Sequence, residues 1–200
     1  SERQIKKIHK IINKRYKRID GILNLAAIDP KVDKKNSLFN SFEKTNLESL
    51  KLQINVGIYG LVLLTKYFIN LLKKSKKASV VNIASDLSVI SPDHRIYGRK
   101  GGILVSKPIS YSIVKHGVVG FTKYLATYYG KDQIRFNCIS PGGIYADQPK
   151  AFVKKIKKLV PMNRMGNVED IEHAIVHLLS TDSKYTNGIN LLIDGGRSVW

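Results

Sequence analysis

Residues 110–143 read SYSIVKHGVVGFTKYLATYYGKDQIRFNCISPGG, and this stretch decides the fold. From 110 to Gly130 its apolar residues recur with helical spacing, and a glycine is a common residue just past a helix end. Residues 134–139 form a short apolar run ended by Pro141-Gly142-Gly143, the signature of a buried strand and a turn. Working outward, the same alternation repeats. Residues 79–84 read as a second buried strand, preceded by a long helix over 46–74. That helix ends in Lys73, Lys74, Lys76 and Lys77, cations suited to the negative end of its dipole. Residues 19–27 read as another strand, closed by Asp29-Pro30. The segment 2–18 carries Ile5, Ile8, Ile11, Ile12 and Tyr16 on one helical face. Downstream come a basic amphipathic helix over 147–160, a helix over 167–180 and a last strand at 190–193. Residues 31–45 and 86–109 read as loop, the former with room for a short helix. Four strands alternating with helices predict an α/β domain with a parallel sheet covered on both faces.

Composition narrows the class. The 200 residues are 43% hydrophobic and 24% charged, enough to bury one core, so disorder is excluded for the whole. The lone cysteine, Cys138, forbids an intrachain disulfide and fits a reducing compartment, with a cytoplasmic location expected. No uninterrupted apolar run reaches the roughly 18 residues of a membrane span; the best, 57–72, is broken by Lys66 and Asn70. The start, Ser1-Glu2-Arg3-Gln4, carries neither a methionine nor an apolar signal region. The oddity is charge: 34 Lys and Arg against 15 Asp and Glu give +19 and a pI near 10.0. Such a field attracts anions, whether nucleic acid, acidic membrane or phosphorylated and carboxylated small molecules. The bland reading is a lysine-rich background, since the lysines are spread along the chain among many Ile and Asn. A basic nucleic-acid-binding module is the rival reading, but no zinc spacing, aromatic RNA-binding strand or helix-turn-helix pattern supports it.

The chemistry sits at the strand ends, where open parallel sheets place their ligands. Tyr111 and Lys115 lie four apart, one helical turn, on one face. An ammonium there favours the phenolate and is expected to bring the phenol pKa down from about 10. A tyrosine so tuned passes a proton to or from an alcohol or ketone oxygen. Alone, this pair is a common solvated helix pair. It is accompanied, in order, by Asn24-Leu25-Ala26-Ala27 at a strand end, Asn55 in the long helix and Asn82-Ile83-Ala84-Ser85 at the next strand end. Asn137 with Pro141-Gly142 and Asp194-Gly195-Gly196 then follow the Tyr/Lys helix.

This ordered set resembles the short-chain dehydrogenase/reductase family, over essentially the whole chain. The resemblance implies a Rossmann-like, doubly wound parallel sheet and hydride transfer between NAD or NADP and a hydroxyl or ketone. It implies Tyr111 as acid/base, Lys115 holding the nicotinamide ribose and Ser85 hydrogen-bonding the substrate oxygen. Asn55 would anchor a proton-relaying water. Asn24 and Ala26 would line the ribose, and Pro141, Gly142 and Ile144 would border the nicotinamide. Homodimers or homotetramers through the helices 46–74 and 110–130 are implied as well, with no nucleic-acid, membrane or metal partner. A family member that has lost catalysis and serves as a subunit is the other alternative; the intact Asn55/Ser85/Tyr111/Lys115 set opposes it.

Two departures stand out. The glycine-rich pyrophosphate turn is missing, and with it the first three strands and the residue that separates NAD from NADP. The chain therefore reads as a single partial domain over 1–200, a fragment of a longer product and inactive by itself, with a raw apolar edge along 19–25. Second, 26 residues separate Ser85 from Tyr111, more than in the family. Tyr97 is closer, but Gly101 stands where its lysine should be and Lys100 is one residue short. Residues 92–108 thus read as an insertion near the active site, and 145–165 as a substrate lid. Together they hold Arg95, Arg99, Lys100, Lys107, Lys150, Lys154, Lys155, Lys157 and Lys158, a positive mouth suited to a polar or anionic sugar. The insertion, residues 145–149 and the tail 194–200 resemble the subgroup linked to flagellin modification and bacterial surface-polysaccharide synthesis. His173 and His177 are four apart on a helix but read as a surface pair, and Cys138 as a small buried hydrophobe.

Overall fold

The computed structural model describes residues 1–29, 41–100 and 103–200. In chain order its elements are α1 (Glu2–Arg15), β1 (Gly21–Asn24), α2 (Leu47–Ile54), a π-helical turn (Asn55–Tyr59) and α3 (Gly60–Leu72). Then come β2 (Ser79–Ile83), the short β3 (Arg99–Lys100) and β4 (Ile103–Leu104), α4 (Ile109–Tyr128) and β5 (Arg135–Pro141). Helices α5 (Lys150–Lys157) and α6 (Glu169–Leu179) and strand β6 (Asn190–Ile193) complete the chain. The sheet runs β1-β2-β5-β6 and every pairing is parallel. This is the expected four-strand sheet, with both faces covered.

Side chains alternate across a strand, so adjacent residues of β2 and β5 enter different cores. Val80 and Phe136 meet Ile69, Leu72 and Leu125 from α3 and α4. Val81, one residue on, and Ile139, three on from Phe136, meet Leu178 of α6 on the other face. Each such residue, fully removed from water, contributes roughly 1.5–3 kcal/mol. The central strands therefore read as continuous apolar runs, as the sequence suggested. Polar residues inside them are satisfied. Asn82, fully buried, accepts from Asn24 Nδ2 at 2.7 Å and donates to Thr122 Oγ1 at 2.9 Å, linking β1, β2 and α4.

The differences from expectation have local causes. The first strand spans four residues rather than 19–27, because its register with β2 ends at the Asn24–Asn82 pair. Its other edge has no strand partner among the described residues, and Leu25 just beyond it is 62% exposed. The expected loop over 86–109 contains two 3-10 turns, at Asp86–Ser88 and His94–Ile96, and the antiparallel pair β3–β4. Of the expected loop over 31–45, residues 31–40 lie outside the described residues, and Phe42–Lys44 is a 3-10 turn. The helix Leu47–Leu72 is long and apolar enough to cross a membrane by length and composition, although no uninterrupted apolar run suggested it. Here Leu61, Leu63, Phe68, Ile69, Leu71 and Leu72 are buried within the protein.

Two glycines set how closely the long helix meets α4. A Cβ on Gly57 would lie 2.4 Å from Val114 Cγ1, and one on Gly117 would lie 2.7 Å from Ile58 Cδ1. Each helix thus offers a hole to the other's branched side chain, next to Asn55 on one side and Lys115 on the other.

Candidate active site

Strand β2 ends at Ile83, and the chain then turns sharply. Ser85 is extended at φ −169° and caps the 3-10 turn Asp86–Ser88, its Oγ accepting from Leu87 N at 3.3 Å. The same Oγ donates to Asp86 Oδ1 at 2.9 Å. On the neighbouring helix, Pro108 opens α4. Ser110 anchors this first turn by donating to buried Gln53 Oε1 of α2 at 2.7 Å. That bond fixes the start of the helix that carries Tyr111 and Lys115.

Lys115 is buried, and its Nζ donates to the Ile83 carbonyl at 3.2 Å. The ammonium lies 5.5 Å from the Tyr111 ring centre, while Lys107 sits 4.2 Å above the same ring and pairs with Asp29. Burial lowers the Lys115 pKa, since desolvation disfavours the charged amine. Burial also pushes Tyr111 up to about 12, opposed by the neighbouring Ser85 hydroxyl. This corrects the expected downward shift. Desolvation outweighs the lysine, whose ammonium gives one hydrogen bond to the Ile83 carbonyl and lies 5.5 Å from the ring centre. Tyr97, half-buried, is likewise pushed up to about 12 by desolvation and packs on Phe152 of α5, ring centres 5.8 Å apart.

The structure therefore brings Ser85, Tyr111 and Lys115 together at the carboxyl end of β2. Asn55 opens the π turn with its side chain exposed, and makes no hydrogen bond to Tyr111 or Lys115. Asn24 is held by Asn82, and Ala26 is exposed beyond β1. Pro141 ends β5 buried. Gly142 follows, where a Cβ would meet Asp194 Cα at 2.9 Å, so the close approach of the β5 and β6 ends requires glycine. Ile144 bridges to Gly166. Asn137 works structurally: its amide donates to Thr186 O at 2.8 Å and accepts from Ile189 N at 3.2 Å, seating the approach to β6. Cys138 is fully buried and its thiol is pushed up to about 11. His173 is exposed beside Glu172, 3.9 Å away.

The basic segment divides in two. Lys150, Lys154, Lys157 and Lys158 line an outer groove of about 360 Å³ with Tyr145, Gln148, Val153 and Asn163. Lys155 instead points at Gly98, on the same side as Phe152 and Tyr97. Sequence reasoning missed Gln53, Ser110, Asp86 and Arg197. The last two form a buried ion pair, Nη1 to Oδ2 at 2.7 Å. Their only signals were adjacency to Ser85 and to the Asp194-Gly195-Gly196 turn.

A family model described as enoyl-(acyl carrier protein) reductase matches residues 1–198. The bovine (Bos taurus) 3-oxoacyl-[acyl-carrier-protein] reductase is 30% identical over 196 residues, 98% of this chain and 73% of that protein. The chain belongs to the short-chain dehydrogenase/reductase family. A short-chain dehydrogenase from Leptospira borgpetersenii, solved with bound NAD+, superposes with a TM-score of 0.87 at 34% identity, over all of this chain and 72% of that one. Post-translational flagellin modification protein A of Campylobacter coli is 28% identical, over 91% of this chain and 68% of that protein. The dehydrogenase/reductase chain thus spans about seven tenths of the length of these relatives, and its sheet is of their Rossmann-like kind.

Proposed function

We propose that Ser85, Tyr111 and Lys115 are the working residues of an NAD- or NADP-dependent oxidoreductase that interconverts a hydroxyl and a ketone on a polar, anionic sugar. The observation that carries this is the convergence of Ser85, Tyr111 and Lys115 at one strand end. The residues fit a nicotinamide nucleotide. Lys115 is a buried ammonium that donates to a single neutral carbonyl, which leaves donors for the hydroxyls of a ribose. Asn24 and Ala26 would line that ribose, and Pro141, Gly142 and Ile144 would border the nicotinamide, whose chemistry is to give or take hydride. Tyr111, raised to about 12, carries its proton at neutral pH and is ready to donate it at Oη to a ketone oxygen. Ser85 lies beside that phenol to orient the same oxygen.

The sugar's charge is inferred from Lys155 beside Gly98, since Lys107 over the Tyr111 ring is already paired with Asp29. The resemblance to a flagellin modification protein points to bacterial surface-glycan or flagellin-modification synthesis. Residues 92–108 serve as an insertion near the site and 145–165 as its lid. Exposed Tyr59, Val62, Tyr124 and Tyr128 are the surface through which copies pair as dimers or tetramers.

The test uses the polypeptide its gene encodes, assayed with glucuronate and NAD+ or NADP+ by absorbance of the reduced nicotinamide. Tyr111→Phe keeps the ring and removes the proton donor, so turnover falls at least ~100-fold. Loss on Tyr97→Phe with survival of Tyr111→Phe overturns the assignment. For an anionic substrate, catalytic efficiency also drops as salt rises and the Debye length shrinks from ~10 Å at 0.1 M to ~3 Å at 1 M. Efficiency flat with salt refutes the anionic sugar.

A further inference from the structure

The amino ends of β2 and β5 frame a cavity of about 470 Å³, at the opposite end of the sheet from Ser85 and Tyr111. Strand β5 has seven residues, so at ~3.3 Å per residue its two ends lie about 20 Å apart. Arg135, the first residue of β5, is 8% exposed and lines this cavity. Its guanidinium is held by neutral groups. Nη1 donates to Leu178 O at 2.9 Å and to Ser183 Oγ at 2.7 Å, and Nη2 donates to Ser180 O at 2.8 Å. A guanidinium carries five N–H donors, so these bonds leave two over. Among the described residues no carboxylate pairs with it, and burial alone acts on its pKa, lowering it. The last carbonyls of α6 bring about half an elementary charge, which leaves the buried cation undercompensated. Arginines are almost never this buried without a partner of opposite charge.

The rim adds cations and no acid. Lys76, Lys77 and Lys184 are exposed and line the same cavity with Gln133, Thr181 and Tyr185. The neighbouring acids are engaged elsewhere or stand outside it. Asp132 pairs with Lys73 at 3.0 Å, Asp20 pairs with Arg18 at 3.3 Å, and Asp182 follows Thr181 in the chain without lining the cavity. The outer groove along α5 also gathers four lysines, but none of them is buried, so a lysine-rich composition accounts for it. It does not account for Arg135. The volume lies within the ~300–1,000 Å³ of small-molecule sites. A guanidinium fork matches phosphate oxygens, and one arginine with three lysines carries more charge than a single phosphate offsets. We propose that this cavity is a second binding site, separate from the one at the carboxyl ends of the strands, for a small molecule that carries a diphosphate.

The test is a lysine footprint of the polypeptide its gene encodes, read by mass spectrometry after amine acetylation with and without inorganic pyrophosphate. It needs no turnover and no variant, so it stands apart from the enzymatic reading. Pyrophosphate protects Lys76, Lys77 and Lys184 and leaves Lys154 and Lys157 of the outer groove labelled. Protection of Lys154 and Lys157 instead, or of no lysine, overturns the proposal. Calorimetry gives the second measurement. Lys76→Glu with Lys184→Glu raises the pyrophosphate Kd at least ~10-fold, whereas Lys154→Glu with Lys157→Glu, the same change in net charge, leaves it unchanged. Equal losses in the two variants mean that net charge alone attracts the anion, and overturn the site. The substituted side chains lie at the surface, so both variants keep the fold. ADP separates the sources of the diphosphate: tighter binding than pyrophosphate assigns a nucleotide, with its base against the fully exposed Tyr185 ring, and weaker binding assigns the inorganic ion. Citrate that binds as tightly as pyrophosphate and gives the same footprint refutes the diphosphate.

Discussion

An alanine at Gly57 tests whether the helix contact beneath the site is as close as the structure draws it. Its methyl would stand 2.4 Å from Val114 Cγ1 and 3.5 Å from Val114 Cβ and Cγ2. Carbon atoms prefer about 3.5–4.0 Å, so the overlap exceeds an ångström. Val114 cannot swing clear, because valine in a helix keeps one χ1 rotamer about 90% of the time. The helices must part instead, and overpacking of this kind costs about 1–3 kcal/mol. For a domain of this size each kcal/mol lowers the melting temperature by about 2–4 °C, so Gly57→Ala melts about 2–12 °C early. Val114→Ala removes the obstructing methyls and by itself costs about 1–3 kcal/mol in lost burial and cavity. The double variant regains room, and its loss falls short of the sum of the singles by about 1 kcal/mol or more. Thermal melts of the four proteins by circular dichroism decide the matter. Strict additivity, or a Gly57→Ala protein that melts like the parent, refutes the close approach.

Two further outcomes follow from the buried lysine and the exposed helix faces. Lys115→Met raises or leaves unchanged the melting temperature at pH 7 while abolishing turnover. The folded-state pKa of Lys115 is depressed, so its unfavourable burial is fully present below that pKa and fades as pH rises through it; the advantage of Met therefore shrinks in alkali, and a lower melting temperature at pH 7 contradicts this. Tyr124 and Tyr128 stack at 5.8 Å and are each 63% exposed, so Tyr124→Glu with Tyr128→Glu splits the proposed assembly. Light scattering that finds the parent monomeric at micromolar concentration removes the premise.

The α/β alternation and the one-turn spacing of Tyr111 and Lys115 were legible in the chain, and the family resemblance put Ser85 beside them as an expectation. Periodicity reports which faces are apolar, and small polar residues at strand ends mark where a parallel sheet opens. The Lys115 spacing was legible too, but not its effect. The phenol shift depends on how much water the fold removes, and burial overrode the neighbouring charge. Strand length escaped as well, because 19–27 is apolar apart from Asp20 and Asn24, and only pairing with β2 ends the strand at Asn24. Lys154 and Lys155 are neighbours in sequence, yet one lines the outer groove and the other points at Gly98, since successive helical residues face different ways. The Asp86–Arg197 pair lay furthest from reach. Its members are 111 residues apart, and local pattern carries no record of which distant charges the folded backbone will place 2.7 Å apart. The sequence by itself determined the elements and the reactive residue types. Tertiary structure alone decided burial, and with it protonation and the partners of each charge, because desolvation is a property of the packed fold and not of any segment.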